Sequence, residues 1–486
     1  MSKNFYITTT LPYVNSDPHI GFAMEIIRAD IVARAKEVEG FDVFFNTGTD
    51  EHGQKIFDNA QNAGVSVQSF VDEKSQTFRN LKDLLGLKPD LHFVRTTDEH
   101  HIKSAQEFWM RCFNVGDIYK KNYKVKYCVG CELEKQDSDL ENGVCPLHPN
   151  KELEIREEEN YFFRFSKYQK PLLDFYKENP NFVIPDFRFN EIKAFVERGL
   201  LDFSISRQKS KMSWGVEVPN DPDHVMYVWF DALVNYVSTL GWPENIETFE
   251  KYWVNGAPVQ YCGKDNLRQQ SAMWQAMLMS AGLPNSKHII INGFIQSDGQ
   301  KMSKSLGNVI DPKDLVAEYG TDALRYFVAR EVSSFEDSDV TLERFKDSYN
   351  GGLANGLGNL VSRVMKMAEV NLENSVDLNE ERLAKYLDQN IKKDFYQHID
   401  SFEINKALDI ISRQISAVDL LIQTEHPFKV VKTDPEKGKQ IITDLVFLLF
   451  LIADLLKPIL PETSEKIKKL IKENKAPETP LFLRKD

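Results

Sequence analysis

The first fifty residues contain a strand, a turn, a helix and a second strand in immediate succession, and this order restricts the fold more than any other feature. Residues 5–10 are rich in β-branched and aromatic side chains, which is typical of a strand. A helix is expected from Asp17, as N-cap, and Pro18, in the first helical position, to about Gly40. Residues 41–47 form the next strand. Because strands joined through a helix run parallel, the sequence predicts an α/β protein with a parallel sheet.

Three predicted strands end in residues that suit phosphate or ribose chemistry. The first strand leads to His19 and Gly21, where a helix N-terminus favours an anion, an imidazole can contact phosphate, and the missing side chain lets a purine approach. A later strand ends at residues 263–265, and a strand over 288–291 leads into a lysine loop, residues 299–308. Each segment alone also suits a solvated surface. Since open parallel sheets bind ligands at the carboxyl ends of their strands, the recurrence favours a nucleotide site.

The lysine loop places Lys301 and Lys304 three residues apart, with Ser303 between them and glycines near both ends. Glycine makes the backbone adaptable, and lysine binds phosphate oxygens as a point charge. Such a loop can bring positive charge onto a polyphosphate and withdraw it. The alternative is an ordinary solvated loop.

Two further segments have the character of a ligand pocket. Asp50 follows the second strand at the same sheet edge, where a carboxylate can hold a ligand ammonium or cap the helix that starts near Gln54. Trp229, Leu233 and Tyr236 recur at helical spacing and so share one face. This stripe suits either ordinary core or an aromatic pocket for an apolar ligand, with the tyrosine hydroxyl as its polar group.

Three of the five cysteines cluster in a pattern that is typical of a metal site. The ligand candidates are Cys128, Cys131, Cys145 and His148. Two closely spaced pairs with this separation fit a tetrahedral zinc ion bound by three cysteines and one histidine. Because the protein fills all four positions, the predicted zinc is structural. A knuckle that has lost its metal is the alternative.

From residue 351 onward the pattern becomes helical. Asn355, Asn359 and Arg363 lie four residues apart along one helix face, which can read base edges or simply face solvent. Several amphipathic helices between about 378 and 470 indicate a bundle. Phe428 lies in a break between two of them, where its ring can stack on an unpaired base.

Composition excludes several classes of protein. The 486 residues, of which 42% are hydrophobic and 27% charged, indicate a soluble chain of several domains. The longest apolar run, 445–453, is far shorter than the ~20 residues of a membrane span, and the N-terminus lacks a signal-peptide core, so no membrane association and a cytoplasmic location are expected. The formal charge of -13 argues against an extended wrapper of nucleic acid but allows one basic face.

Residues 19–22 (HIGF) and 301–305 (KMSKS) together resemble the two signatures of the class I aminoacyl-tRNA synthetases, His-Ile-Gly-His and Lys-Met-Ser-Lys-Ser. The second signature is complete, whereas the first departs at Phe22, which removes an imidazole from the adenine side. Within this class, residues 11–13 (LPY) and 229–236 resemble the methionyl-tRNA synthetase family. The resemblance covers nearly the whole chain.

The resemblance implies roles for many residues. Catalysis is assigned to His19, Gly21, Arg207, Lys301 and Lys304. ATP binding is assigned to His19, Gly21, Gly263, Asp265, Lys301, Ser303 and Lys304. Methionine binding is assigned to Leu11, Tyr13, Asp50, Trp229, Tyr236 and Asn292. Anticodon binding is assigned to Asn355, Asn359, Arg363 and Phe428. Asn292 and Phe428 stand where many members have histidine and tryptophan.

The implied fold is an α/β protein with a Rossmann-like parallel-sheet catalytic domain, a zinc-knuckle insertion and a C-terminal α-helical bundle. The expected divisions are 1–115 with 221–298 for the catalytic domain, 116–220 for the insertion, 299–350 for the lysine loop and tRNA-stem contacts, and 351–486 for the anticodon-binding bundle.

The implied activity is the ATP-dependent ligation of L-methionine to tRNA(Met) through methionyl-adenylate, with Mg²⁺ accompanying ATP and structural Zn²⁺ in the knuckle. A monomer is expected because the resemblance stops with the helical bundle. Two alternatives stay open: a class I synthetase for cysteine, leucine or valine, and a non-catalytic tRNA-binding paralogue. Residues 11–13 and 229–236 argue against the first, and the intact 301–305 run with His19 argues against the second.

Overall fold

The computed structural model describes residues 3–15, 17–131, 133–135, 140–297, 299–301, 310–378 and 389–486. The strands in chain order are β1 (Asn4–Thr8), β2 (Asp42–Thr49), β3 (His92–Arg95), β4 (Ile118–Cys128), β5 (Leu133–Lys135), β6 (Glu154–Phe163), β7 (Val183–Ile184), β8 (Phe203–Ser204), β9 (Ser206–Gln208), β10 (Glu217–Val218), β11 (Asp221–Met226), β12 (Pro258–Gly263), β13 (His288–Asn292), β14 (Ile295–Ser297), β15 (Gln300–Lys301) and β16 (Ser338–Asp339).

The α-helices in chain order are α1 (Ile20–Val38), α2 (Gln54–Ala63), α3 (Val67–Arg79), α4 (Leu81–Leu84), α5 (Glu99–Asn114), α6 (Gln169–Glu178), α7 (Asp186–Glu197), α8 (Val228–Leu233), α9 (Asn235–Ser238), α10 (Ile246–Phe249), α11 (Trp274–Ser280), α12 (Pro312–Tyr319), α13 (Thr321–Arg330), α14 (Leu342–Ser348), α15 (Asn359–Asn371), α16 (Gln389–Asp400), α17 (Ile404–Glu425), α18 (Pro427–Thr433), α19 (Pro435–Leu456) and α20 (Pro461–Glu473).

The main sheet has six strands in the order β3-β2-β1-β12-β13-β7, and its paired strands are all parallel. At the centre, Ile7 of β1 lies opposite Phe45 of β2 and Val259 of β12. The strand order reverses between β1 and β12, which is where sheets of this kind open a crevice for ligands. The prediction of a parallel α/β sheet is therefore confirmed.

Both faces of this sheet are covered, as the continuous apolar run in β13 requires. Ile290 belongs to one buried cluster, and its neighbours Ile289 and Ile291 belong to another, because successive side chains of a strand point to opposite faces. The first cluster continues from the sheet into the C-terminal helices and includes Leu449 of α19.

Helix α1 begins at Ile20, and its N-cap is His19, so the predicted N-cap at Asp17 is wrong. The Asp17 carboxylate instead accepts a hydrogen bond from Lys74 Nζ on α3, at 2.8 Å. A long-range ion pair has therefore replaced the local capping interaction that the sequence suggested, and the helix starts two residues later than expected.

The described residues also form three smaller sheets, of which two are wholly antiparallel. Strands β5-β4-β6-β8 form an antiparallel sheet, in which β4 ends at Cys128. Strands β10-β11-β9 form another, which carries Arg207. Strand β7 lies inside the range 116–220 but joins the edge of the main sheet. The proposed domain boundaries stay a prediction.

The C-terminal region is a bundle of helices, as predicted, and it is joined to the sheet domain through buried Arg325 of α13. The Arg325 guanidinium donates from Nη2 to Asp30 Oδ2 of α1 at 2.8 Å, from Nε to the Ile459 carbonyl at 2.8 Å and from Nη1 to the Leu85 carbonyl at 3.2 Å. In the described parts of the chain, no helix combines the length and apolar character needed to cross a bilayer.

Candidate active site

A cavity of about 380 Å³ lies at the carboxyl ends of β1, β2 and β12. Its lining includes Leu11, Tyr13, Asp50, Trp229, Tyr236 and Asp265. The structure thus brings together five of the six residues predicted to bind methionine and one predicted to bind ATP. They come from four separate stretches of sequence, of which three follow parallel strands that end at one edge and the fourth forms helices α8 and α9.

One wall is formed by the turns after β1 and β2. The Asp50 N–H donates to the Pro12 carbonyl at 2.9 Å, and the Val14 N–H donates to the Asp50 carbonyl at 3.1 Å, so the two turns are paired. Gly53 has φ +117°, and a Cβ added there would lie 2.5 Å from Tyr13 Oη. Glycine at this position therefore allows the Tyr13 ring to remain beside the Asp50 turn.

The opposite wall is aromatic. Trp229 lies in α8 with its ring 5.5 Å from the Tyr227 ring, and Tyr236 is buried in α9. Gln270 Nε2 donates to Tyr236 Oη at 2.5 Å. Burial raises the pKa of Tyr236 well above its ordinary value, so the hydroxyl keeps its proton. Trp229, Leu233 and Tyr236 all line the cavity, which makes this stripe a pocket wall as well as part of the core.

Asn292 is the predicted methionine-binding residue that the cavity lining does not include. It is fully buried at the end of β13, and its Oδ1 accepts a hydrogen bond from Arg28 Nη1 at 3.0 Å. Arg28 also donates to the carbonyls of Val332 and Ser333. Asn292 therefore helps to fix α1 and the segment before β16.

His19 and Gly21 occupy the start of α1, as predicted for an anion site. The Gly21 N–H donates to His19 Nδ1 at 3.1 Å, and a Cβ at Gly21 would lie 2.9 Å from His19 Cε1. The imidazole thus folds over the first turn, where only glycine leaves room for it. Phe22, which departs from the class I signature, instead packs against Phe78 of α3 with ring centroids 5.5 Å apart.

The Gly263–Asp265 segment follows β12, and Asp265 reaches the cavity lining. A Cβ at Gly263 would lie 2.6 Å from Asp265 Oδ1, so the small residue lets the carboxylate turn back over the strand end. Lys264 is held away by an ion pair with Asp337 at 2.6 Å.

Arg207 lies in an adjoining cavity of about 640 Å³, which shares Lys55, Tyr227 and Val228 with the first. Its guanidinium carbon is 4.2 Å from the centre of the Tyr227 ring, and Nη1 donates to the Ser206 carbonyl at 2.7 Å. Arg207 is thus fixed beside the 380 Å³ cavity and does not line it.

The predicted ATP-binding residue Ser303 and the predicted catalytic residue Lys304 lie outside the described residues. Lys301 ends the short strand β15, whose backbone pairs with Gln296 of β14. The start of the lysine loop therefore lies beside β14, the strand that follows β13.

The four predicted metal ligands form one cluster. The Cys131 Sγ is 3.3 Å from Cys145 Sγ and 3.2 Å from His148 Nδ1, and the Cys128 Sγ is 3.9 Å from His148 Nδ1. Ligands about 2.0 to 2.3 Å from a tetrahedral zinc ion would be roughly 3.5 to 3.8 Å apart, so the donor set and its spacing suit a metal. A cluster able to hold a metal ion is confirmed.

The knuckle also borders the substrate cavity. Cys131 belongs to the cavity lining, and Lys55 Nζ of α2 donates to the Gly130 carbonyl at 3.1 Å. A Cβ at Gly130 would lie 2.4 Å from the His148 ring, so the knuckle backbone is tightly packed against its own ligand.

Two features of the site escaped prediction from the sequence. Glu25 is buried in α1, where its Oε1 accepts a hydrogen bond from the Thr10 N–H at 2.8 Å. Burial raises its pKa to about 7, and the negative charge of Asp265 adds to the rise. His52 and Asp231 form a buried pair behind the cavity. In the sequence, Glu25 stands out as a carboxylate among the apolar residues of a predicted helix. The local sequence gives no indication of the contact between His52 and Asp231, which are 179 residues apart.

The proposed anticodon residues lie on the C-terminal side. Asn355 and Asn359 are exposed, on a continuous helical stretch that passes from the π-helical Tyr349–Gly358 into α15. Arg363 forms an ion pair with Asp419. Phe428 is 46% exposed at the start of α18, after a left-handed turn at His426.

A parallel sheet with a helix N-terminus and an aromatic cavity at one edge, together with the sequence signature at 301–305, is typical of a class I aminoacyl-tRNA synthetase. The family model "tRNA synthetases class I (M)" matches residues 5–152 and 130–365, and "Anticodon binding domain of methionyl tRNA ligase" matches 372–480. The chain belongs to the methionine–tRNA ligase family.

Its relatives match over most of their lengths. The chain is 41% identical over 472 residues to a methionine–tRNA ligase of Thermotoga maritima, covering 95% of this chain and 74% of the relative. It is 42% identical over 480 residues to one of Nostoc sp., covering 96% and 89%. The structure of Mycobacterium tuberculosis methionyl-tRNA synthetase in complex with methionyl-adenylate matches with a TM-score of 0.89 and 36% identity, covering 96% of this chain and 93% of that one.

Proposed function

We propose that this chain ligates L-methionine to tRNA(Met), using ATP and passing through methionyl-adenylate. The observation that carries the proposal is the 380 Å³ cavity, in which the Asp50 carboxylate, the Trp229 and Tyr236 rings and Asp265 meet at the carboxyl edge of the sheet. A family member with the same fold has been solved with methionyl-adenylate bound.

In the first step, a methionine carboxylate oxygen attacks the α-phosphorus of ATP in line. The new O–P bond forms as the bond to the bridging oxygen breaks, and pyrophosphate leaves. In the second step, a hydroxyl of the tRNA 3′-terminal ribose attacks the methionyl carbonyl and AMP leaves. Both steps use nucleophiles that the substrates carry, so the protein acts by positioning and by stabilising charge.

Both the ammonium group and the side chain of methionine find suitable partners in the cavity. Its ammonium group pairs with Asp50, and its thioether lies against Trp229 and Tyr236, because sulfur packs favourably at the edges of aromatic rings. The protonated Tyr236 hydroxyl remains a neutral group at the buried end of the pocket. Leu11 and Tyr13 complete the wall, and Asn292 supports the sheet edge beneath it.

ATP lies across the ends of β1 and β12. His19 and Gly21 receive the phosphates at the α1 N-terminus, while Gly263 and Asp265 hold the ribose. Lys301, Ser303 and Lys304 close over the departing pyrophosphate. Arg207 adds positive charge from the adjoining cavity. Mg²⁺ accompanies ATP and neutralises phosphate charge.

The metal of the knuckle is proposed to be structural Zn²⁺. Cys128, Cys131, Cys145 and His148 supply four ligands, and a tetrahedral ion bound by four protein groups keeps no open position for substrate. The ion would hold the knuckle in the shape that places Cys131 at the cavity.

The anticodon is proposed to bind along α15 and α18. Asn355 and Asn359 offer exposed amides to base edges, and the exposed Phe428 ring can stack on a base. Arg363 must exchange or share its Asp419 partner to contact RNA.

We also propose that the protein is a monomer and is located in the cytoplasm, as expected from the sequence. Light scattering tests the first expectation, and cell fractionation tests the second.

The decisive experiment is ATP–pyrophosphate exchange without tRNA, with each of the twenty amino acids. Exchange with methionine alone is expected. Exchange with cysteine, leucine or valine would reassign the chain within class I, and no exchange would favour a tRNA-binding paralogue. Asp50→Asn should abolish exchange by removing the charge that pairs with the ammonium. Asp58→Asn, in the adjoining cavity, is the matched control.

A further inference from the structure

A buried side-chain pair connects the two walls of the methionine cavity. His52 Nδ1 lies 2.7 Å from Asp231 Oδ2, and the two side chains are 5% and 0% exposed. His52 follows Asp50 by two residues, on the wall built from the turn after β2. Asp231 follows Trp229 by two residues, in α8, on the aromatic wall.

Neither member of the pair touches the space where substrate would lie. Both cavities near the site are lined by other residues, including the neighbours Asp50 and Trp229. An effect of the pair on substrate must therefore act through the backbone of the two walls.

The His52 side of the link is rigid. Trp214 Nε1 donates to the Glu51 carbonyl at 2.6 Å, and the Trp214 and His52 ring centroids are 5.7 Å apart. The Glu51 carboxylate accepts two hydrogen bonds from Arg95, each at 2.8 Å. Movement of His52 is thus resisted by the fixed Glu51 before it and by the Trp214 ring beside it.

The link itself is strong. A hydrogen bond of 2.7 Å between an imidazole and a carboxylate is in the charge-assisted range, and burial removes competing water. Burial also raises the pKa of Asp231, with His52 opposing the rise. Removing one partner would leave the other buried and unsatisfied, so α8 would shift to relieve it.

We propose that His52 and Asp231 are positioning residues that set the width of the methionine cavity and thereby favour the unbranched methionine side chain over branched amino acids. This inference rests on the proposed function. With the ammonium held at Asp50, the separation between the Asp50 turn and α8 decides how bulky a side chain fits beside Trp229. Size-based pockets discriminate by only about 10 to 200-fold per methylene, so a small change in width has a measurable effect.

The test is tRNA-free pyrophosphate exchange with Asp231→Leu, which removes the acceptor. The KM for methionine is expected to rise about tenfold, and the preference for methionine over leucine to fall about tenfold, as for the loss of one size-selective contact. The KM for ATP should stay within about twofold, because the nucleotide residues at α1 and β12 do not depend on this link. Asp231→Asn retains an oxygen that can accept from His52 and should restore most of the preference.

Asp322→Leu is the matched control, because Asp322 is likewise a buried carboxylate but accepts its hydrogen bond from the Thr463 N–H in the C-terminal region. It should lower the melting temperature without changing the KM for methionine. If Asp231→Leu does not fold, His52→Phe, which removes the ring nitrogen that contacts Asp231, provides the same comparison, and His52→Gln, which keeps an N–H donor, takes the place of Asp231→Asn.

An unchanged methionine preference in a folded variant would overturn the proposal, as would equal rises in the KM values for methionine and ATP. Failure of the proposed function would look different, since the wild-type protein would then show no methionine-dependent exchange.

Discussion

Glu25→Gln should stabilise the protein in a pH-dependent way. Glu25 is 7% exposed. Burial is the main cause that raises its pKa from 4.5 to about 7, and the negative charge of Asp265 adds to the rise. Between those two values the unfolded chain releases the proton while the folded protein keeps it. Stability that is present below pH 4.5 is therefore lost as the pH rises to about 7.

The magnitude follows from the difference between the two pKa values. Each tenfold change in proton affinity is worth ~1.4 kcal/mol, so the pKa rise from 4.5 to about 7 corresponds to about 3 kcal/mol in the free energy of unfolding. Glutamine keeps an oxygen that can accept the Thr10 N–H and has no charge to bury. The variant should match the wild type at pH 4.5 and exceed its stability at pH 8.

The assay is thermal melting of wild type and variant at intervals from pH 4.5 to 8, with Glu73→Gln, at an exposed site on α3, as the control. The melting temperature of Glu25→Gln should rise above that of wild type by several degrees at pH 8. A gap that is the same at pH 4.5 and pH 8 would refute the reasoning.

Three further perturbations test separate parts of the machinery. Lys304→Ala should slow adenylate formation about 100-fold while leaving methionine affinity nearly intact, measured by single-turnover kinetics and equilibrium binding; equal rates would remove the role given to this lysine. Metal removal by a chelator, or Cys145→Ser, should raise the KM for methionine and lower metal content together, because Cys131 lines the cavity; a metal-depleted protein with unchanged KM would contradict this. Phe428→Ala should raise the KM for tRNA about tenfold in aminoacylation while leaving pyrophosphate exchange unchanged, since a stacked base is worth ~1 to 3 kcal/mol; loss of exchange would point to a structural role.

The metal ligands show what short-range sequence patterns can predict. Each ligand pair lies within one turn of chain, at 128 and 131 and at 145 and 148, so local geometry already brings its members together. The strand-helix-strand order near the N-terminus is equally local, and the parallel sheet followed from it.

The helix N-cap shows where local reasoning fails. Asp17 has the right chemistry and position for a cap, but its carboxylate forms an ion pair with Lys74, which is 57 residues away. His19 caps the helix instead. Asn292 was assigned to methionine binding by resemblance; its side chain accepts a hydrogen bond from Arg28, and its contact with methionine stays a prediction.

The amino-acid sequence by itself determined the class of sheet and the cluster of candidate metal ligands, because those features depend on local spacing. Its resemblance to a known family pointed to residues that line the cavity. Only the tertiary structure decided the raised pKa of Glu25 and the pairing of His52 with Asp231 across 179 residues. Both depend on burial and on contacts between distant segments, and neither quantity exists until the chain has folded.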